Sequence, residues 1–445
     1  MFNALAGIGK TGILLCLAFL FISTTISAQA NLSNFTIAQR SSNQMTIDFK
    51  LDAWSIETQR ENGIDYQTIK STAGHSLLID ETETLPVFST VVAIPDGMDA
   101  EVSYENTNME TINNFRLSYA AEIERAAGGN SLYPIRSLEV SASAQMRDFR
   151  VVSLNLCPFQ LNPTTQQLNV IKSGKITLHF VPFTGGYSNS GAGYYSTYYD
   201  NLYSAMILNY EASRDELIPI TKPVLLVIYP STTNADYLTS LDTFVTWKKQ
   251  KGYTVNIAST ASAQAGSTTT TIKAYIQSQY NNLSTRPDVV VFMGDASGSY
   301  AVPSYVDDDG DYQYSLLAGG DQYGDVQLGR MSVSSSTDMG VLVAKTLAYE
   351  RDVYLPTAGW LNKMLLVGDS ESGGSGISTI YVNRYIHDIS YFVNPSYTYT
   401  EMYGAIGSPA SQINTAITLG TGFFNFRGYN LMAGWQPGGS NNVNK

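Results

Sequence analysis

Hydrophobic and polar positions follow three different rhythms along this chain. From residue 31 to about 182 they alternate in short runs: Met45-Thr-Ile-Asp-Phe49, Val87 to Ile94, Val151 to Leu156, and Lys175 to Phe180. Successive side chains of a strand point to opposite faces, so such runs predict half-buried strands. Pro95-Asp96-Gly97, Gly128-Gly129-Asn130 and Asn162-Pro163 separate them as turns, and the sum is a β-rich sandwich or barrel-like domain over 31–182. Residues 183–221 break the rhythm. FTGGYSNSGAGYYSTYYDNLYS is rich in Gly, Ser and Tyr without usable period, and reads as a linker or exposed strap.

From Lys222 onward, continuous apolar runs alternate with helical periods. Val224 to Tyr229 reads as a strand buried on both faces. A helix follows near Asp236 to Gln250, with Leu238, Leu241, Phe244 and Val245 on one face and Gly252 placed to cap its end. Strand Tyr253 to Ile257, helix Thr271 to Tyr280, strand Val289 to Met293 and helix Asp338 to Val353 continue the series. It then restarts with strand Met364 to Val367, helix Ile380 to Val393, strand Tyr397 to Met402, helix Pro409 to Leu419 and strand Gly422 to Asn425. Strand–helix alternation predicts parallel sheets covered by helices. Trp360 marks a seam between two α/β halves, 222–355 and 356–445.

The first thirty residues carry an address. Lys10 is followed by an apolar run from Ile13 to Ile22 and by small residues at Ser27, Ala28 and Ala30. That is the layout of a secretory signal peptide, too short for a stable bilayer anchor, and it predicts a secreted or cell-surface protein. No later segment is long and apolar enough to cross a membrane as a helix. Of two cysteines, Cys16 lies in the leader and Cys157 stands alone in an apolar run, so the mature chain has no internal disulfide. A net charge of −12 makes nucleic acid a poor partner.

Functional groups of open parallel sheets collect at the carboxyl ends of strands. Three such ends stand out: Gly294-Asp295, Gly368-Asp369 and the loop after Asn425. Within the first α/β half, after the strand Val289 to Met293, lies an acidic loop holding Asp307, Asp308, Asp309 and Asp311, then Asp321 and Asp325. Carboxylates at this density repel one another unless solvated or neutralised by a cation, so the loop is either a solvated face or a Ca²⁺ site. It does not have EF-hand spacing. Nucleophilic catalysis needs a thiol or hydroxyl beside a base. His75 and His179 belong to the β-rich half and His387 lies mid-helix, so the residues present supply no Cys–His pair.

The run WKKQKGY, the string Asp321-x-Tyr-x-Asp-Val-x-x-Gly-Arg330 and the order LLVIY, VVVFMGD, GWLNKMLLVGD resemble the gingipain-type cysteine peptidases over most of the second half. LPVFSTVVAIPDG and YPIRSLEVSASAQMRDFRVVSLNLCPFQLNP are similar to that family's propeptide. The resemblance implies a caspase-like α/β parallel-sheet domain of two subdomains, the second incomplete, preceded by a β-rich propeptide-like domain. It implies a precursor of an endopeptidase that acts on protein or peptide substrates through a Cys–His dyad. In FFNFRGYNLMAGW, Tyr429 stands at the family's His position, and the family's Cys would follow a strand beyond residue 445, so the chain is expected to be a fragment. A phenol with a reference pKa near 10 is a poor general base at neutral pH. The family's calcium carries over onto Asp321 and Asp325. The alternative implied by Tyr429 is a non-catalytic relative serving as a calcium-stabilised surface binding or adhesion protein. Oligomeric state is not legible.

Overall fold

The structure is a computed structural model that describes residues 34–52, 54–61, 63–71, 75–79, 82–117, 132–185, 191–305, 310–352, 359–368, 379–403, 409–427, 429–431 and 434–436. Residues 1–30, expected from the sequence to be a signal peptide, lie outside the described residues.

The first half contributes β1 (Phe35–Arg40), β2 (Gln44–Lys50), β3 (Trp54–Glu61), β4 (Ile64–Ser71), β5 (His75–Ile79), β6 (Thr82–Ile94), β7 (Met98–Ile112), β8 (Leu138–Val140), β9 (Ala144–Met146), β10 (Phe149–Leu156), β11 (Phe159–Asn162) and β12 (Gln167–Pro182). One sheet runs β1-β2-β12-β11 with β7 also on β12; the other runs β5-β6-β10-β8 with β9 also on β10. All these ladders are antiparallel, as the alternating sequence requires. Met45, Ile47 and Phe49 of β2 lie beside Leu178, Ile176 and Gly174 of β12 and face Val152, Leu154 and Leu156 of β10 across a common core. This is the expected β-rich sandwich. Strand β10 has a second role: Phe149 and Val151 turn away from that core into another cluster.

That second cluster corrects the reading of an exposed strap. Within 183–221 the chain forms β13 (Tyr194–Ser196), α1 (Asp200–Met206), α2 (Tyr210–Arg214) and β14 (Ile218–Ile220). Tyr195, Tyr199, Tyr203 and Tyr210 are buried, packed with Ile207 against Phe149, Val151 and Met146 of the β-rich domain. Phe149 meets the rings of Tyr203 and Tyr210 edge-on at 5.0 and 5.6 Å. Edge-to-face contact is the favoured aromatic geometry, and each ring buried this way stabilises the contact by roughly 1.5–3 kcal/mol.

The second half begins with β15 (Val224–Tyr229), α3 (Ala235–Gln250), β16 (Thr254–Ser259), α4 (Thr269–Tyr280), β17 (Val289–Met293), β18 (Gln327–Met331) and α5 (Ser336–Asp352). Its four strands are parallel in the order β16-β15-β17-β18. Leu226, Ile228, Val290 and Phe292 pack on one face with Ile272 and Ile276 of α4. Leu225 and Val227 pack on the other with Leu241 and Phe244 of α3 and Val343 and Leu347 of α5. Caps fix the helix starts: the Asn234 side chain accepts from Tyr237 N–H, and Thr268 and Thr271 form a reciprocal box. Glu350 of α5 ties α3 to it by accepting from Lys248 Nζ at 2.6 Å and Trp247 Nε1 at 2.6 Å.

A second parallel sheet, β20-β19-β21, follows from β19 (Lys363–Gly368), α6 (Thr379–Val393), β20 (Thr398–Tyr403), α7 (Pro409–Thr418) and β21 (Phe423–Arg427). A hairpin of β22 (Tyr429–Leu431) and β23 (Gly434–Gln436) continues from β21. Gly420, at φ +90°, lies against the Trp360 side chain where a Cβ would collide.

Candidate functional site

Strand β17 ends in Gly294-Asp295, the first of the three expected strand ends. The Asp295 carboxylate accepts from Ala296 N–H at 2.8 Å and Ser332 Oγ at 2.9 Å, so it closes the loop around itself. Arg330, at the matching end of β18, donates to both oxygens of Asp311 at 2.6 and 2.7 Å and to the carbonyls of Gly294 and Val302 at 2.8 Å. Asp311 is therefore held in a bidentate ion pair. Lys273 of α4 donates its Nζ to the carbonyls of Gln313 and Leu316 at 2.5 Å, and burial pulls its pKa down to about 8.

Asp321 and Asp325 come together at the opposite, amino-terminal end of the sheet, and what they meet is the β-rich domain. Asp321 accepts from Gln145 N–H at 2.7 Å and from Tyr323 N–H at 2.8 Å. Asp325, completely buried, accepts from the N–H groups of Leu317 and Ala318 at 2.6 Å and of Arg147 at 3.2 Å. Burial pushes the Asp325 carboxyl up to about 6 against those donors. The Arg147 side chain enters the α/β domain, donating Nη1 to the carbonyls of Pro287 and Asp325 at 2.8 Å and Nη2 to Asp288 at 2.9 Å. The other oxygen of Asp288 accepts from Val224 N–H, and Tyr199 Oη donates to the Asp288 carbonyl at 2.6 Å. Asp288, Val224 and Gln327 begin β17, β15 and β18 or immediately precede them, so the grip lies at the amino ends of three strands.

The described acids of the expected calcium site are engaged by other partners. Among the described residues no three His, Cys, Asp or Glu side chains cluster to hold a metal. Asp311 belongs to Arg330, Asp321 and Asp325 are occupied by N–H donors beside a buried guanidinium, and Asp309 lies outside the described residues.

In the second sheet, Asn383 of α6 bridges the carboxyl ends of β19 and β21. Fully buried, it donates to Val367 O at 2.9 Å and accepts from Asn425 Nδ2 at 2.7 Å. Tyr429 opens β22 just beyond that end, paired in register with Gln436. Asp369 lies outside the described residues. His387 points elsewhere: its ring lies 4.0 Å from that of Tyr399 on edge strand β20, with Glu401 at 3.7 Å. Cys157 is buried in the sandwich, donates to Phe159 O at 3.2 Å, and is pushed by burial up to about 12. A neutral, inaccessible thiol is no nucleophile.

The family model described as Peptidase family C25 matches residues 219–445, more than half of the chain, and that described as Propeptide_C25 matches 29–218. The chain belongs to peptidase family C25. Within that family it is 26% identical over 311 residues to Lys-gingipain of Porphyromonas gingivalis, covering 67% of this chain and 17% of that protein. To gingipain R1 of Porphyromonas gingivalis it is 21% identical over 411 residues, 87% of this chain and 40% of that one. The chain thus spans well under half the length of these relatives. The crystal structure of the Arg-specific cysteine proteinase gingipain R aligns at 22% identity, covering 48% of this chain and 49% of that chain with a TM-score of 0.41. The C25 membership accords with the α/β parallel-sheet domain and the β-rich domain before it, as the family strings implied.

Sequence reasoning about this C25 chain missed Arg147, Asp288 and the linker tyrosines. Two signals were present. Tyr195, Tyr199, Tyr203, Ile207 and Tyr210 recur at helical spacing, which marks a buried face. Asp288 directly precedes an apolar strand, a costly place for a carboxylate without a partner.

Proposed function

We propose that this chain is the latent, exported form of a gingipain-type endopeptidase, in which the β-rich domain is the propeptide and rides on the α/β domain until it is processed. The observation that carries the reading is the joint match to propeptide and peptidase, together with Arg147 buried between the two. Protein or peptide substrates follow from the family. Export rests on the sequence of residues 1–30. Hydrolysis by a Cys–His dyad is not assigned to this chain: its thiol at Cys157 is buried in the β-rich domain, and the family resemblance aligns Tyr429 with the imidazole position.

The test uses the chain with its cysteine-directed chemistry intact. Incubation with casein and with an iodoacetamide probe is expected to give no cleavage, and to label Cys157 only after denaturation. Native-state labelling coupled to peptide cleavage would overturn the absence of a dyad. Tyr429 favours a second reading, a non-catalytic family member that binds at the cell surface. Cleavage of casein by this chain after limited proteolysis has removed the β-rich domain would exclude it. Calcium belongs to the proposal only for the chain freed of the Gln145–Arg147 contact, where Asp321 and Asp325 regain free lone pairs. Calorimetric titration of Arg147→Ala, with Arg147→Ala combined with Asp321→Ala as the control, tests it, and absence of heat in Arg147→Ala would remove calcium.

A further inference from the structure

Arg147 does more than pair with an acid. It is 2% exposed, and its backbone takes φ +49°, a left-handed conformation that a non-glycine residue holds only where its surroundings demand it. The guanidinium meets three acceptors: two carbonyls on Nη1 and the Asp288 carboxylate on Nη2. Tyr199 and Tyr280 present ring faces 5.0 and 5.7 Å from its central carbon. Asp148, its own neighbour, lies 3.5 Å from Nε.

These acceptors are positioned by the sheet, independently of Arg147. Asp288 is fixed through its second oxygen by Val224 N–H at 2.7 Å. Its carbonyl accepts from Gln327 N–H at 3.0 Å, and Asp325 N–H donates to Ser315 O at 2.9 Å. The amino ends of β15, β17 and β18 therefore hold Asp288 and Asp325 through bonds in which Arg147 takes no part. A lysine would supply one compact charge where the acceptors are spread for a fork.

We propose that the amino-end edge of the first α/β sheet carries a binding site for an arginyl side chain, filled in this chain by Arg147. It is a different place from the carboxyl-end face where peptidase chemistry collects. The site holds the β-rich domain down, and it stands open to another guanidinium when Arg147 is absent. The inference rests on contacts within the intact chain and does not depend on processing or on peptidase activity.

The experiment is chemical rescue of the full chain. Arg147→Ala is melted with and without millimolar ethylguanidinium, with ethylammonium as the matched cation. At tenfold over its dissociation constant, ethylguanidinium is expected to raise the melting temperature of the variant by about 3 °C. It should leave the wild type unchanged, and should fail in Arg147→Ala combined with Asp288→Asn. No shift in Arg147→Ala, or an equal shift with ethylammonium, overturns the proposal. If the variant does not fold unaided, the folded yield on dilution from urea is read in the same solutions. A yield raised by ethylguanidinium alone supports the site, and an unchanged yield refutes it.

Discussion

Deprotonation of Asp325 is expected to weaken the intact chain as the pH rises from 4 to 7. The carboxyl is fully buried, and that burial is the largest influence on it. The N–H groups of Leu317 and Ala318 and the guanidinium of Arg147 pull the other way, while Asp321 pushes with burial. The net effect takes the group from an ordinary 3.8 up to about 6. A folded-state value above the unfolded one means that the native chain binds this proton more tightly. Its stabilising effect is full below about pH 4 and is lost as the pH passes 6. A shift of about two units at 1.36 kcal/mol each corresponds to about 3 kcal/mol. Urea unfolding at pH 4, 5, 6 and 7, with Asp325→Asn measured alongside, isolates this group from every other carboxylate. The wild type should lose about 2 kcal/mol of that stabilisation relative to the variant between pH 4 and pH 7. A gap that stays flat, or that moves in favour of the wild type with rising pH, would refute the reasoning. It would mean that the N–H donors and Arg147 hold a carboxylate after all.

Glu350→Gln should lower stability by about 2 kcal/mol at pH 7, because charge-assisted bonds between α3 and α5 become neutral ones. Burial acts to raise that carboxyl, but Lys248, Trp247 and Lys251 take it down to about 2, so the gap to wild type should close as pH falls from 4.5 towards 2 in urea melts. Asn383→Leu should destabilise by roughly 2 kcal/mol by leaving Val367 O and Asn425 Nδ2 without their partner, and amide exchange should speed up selectively in β19 and β21. Gly319→Ala should weaken the chain by at least about 1 kcal/mol more than Gly320→Ala in thermal melts. Both glycines have positive φ, but a Cβ at 319 would also collide with the Asp321 carboxylate and with Gln145.

What the sequence revealed and what it hid follow one physical line. Elements whose signal is local were readable. Helix α3 carries its apolar face at Leu241, Phe244 and Val245 with Gly252 behind it, and β15 is an unbroken apolar run. Strand β18 was not, because Gln327-Leu-Gly-Arg-Met has neither alternation nor an apolar run, and it becomes a strand by pairing with β17. The acidic loop was legible as a concentration of charge, but the identity of the compensating groups was not. Arg330 reaches it from the strand that follows the loop, Lys273 from a helix about forty residues earlier, and Arg147 from another domain.

The same separation decides how the two halves of the protein are coupled. The described contacts of the β-rich domain with the first sheet concentrate at the amino ends of β15, β17 and β18, through Arg147, Gln145 and the linker tyrosines. Asn383, Asn425 and Tyr429 lie at the carboxyl ends of the other sheet. Loss of the Arg147 contact should therefore change domain association first. Any effect on the carboxyl-end groups must travel through strands whose faces are packed on both sides by α3, α4 and α5. Packed layers of this kind move as units and deform little, so release of the β-rich domain should leave the Asn383 bridge intact. Amide exchange on Arg147→Ala, faster in α1 and α2 but unchanged in β19 and β21, is the pattern this requires. Exchange that speeds up equally in both regions would show the two ends of the molecule to be one cooperative unit.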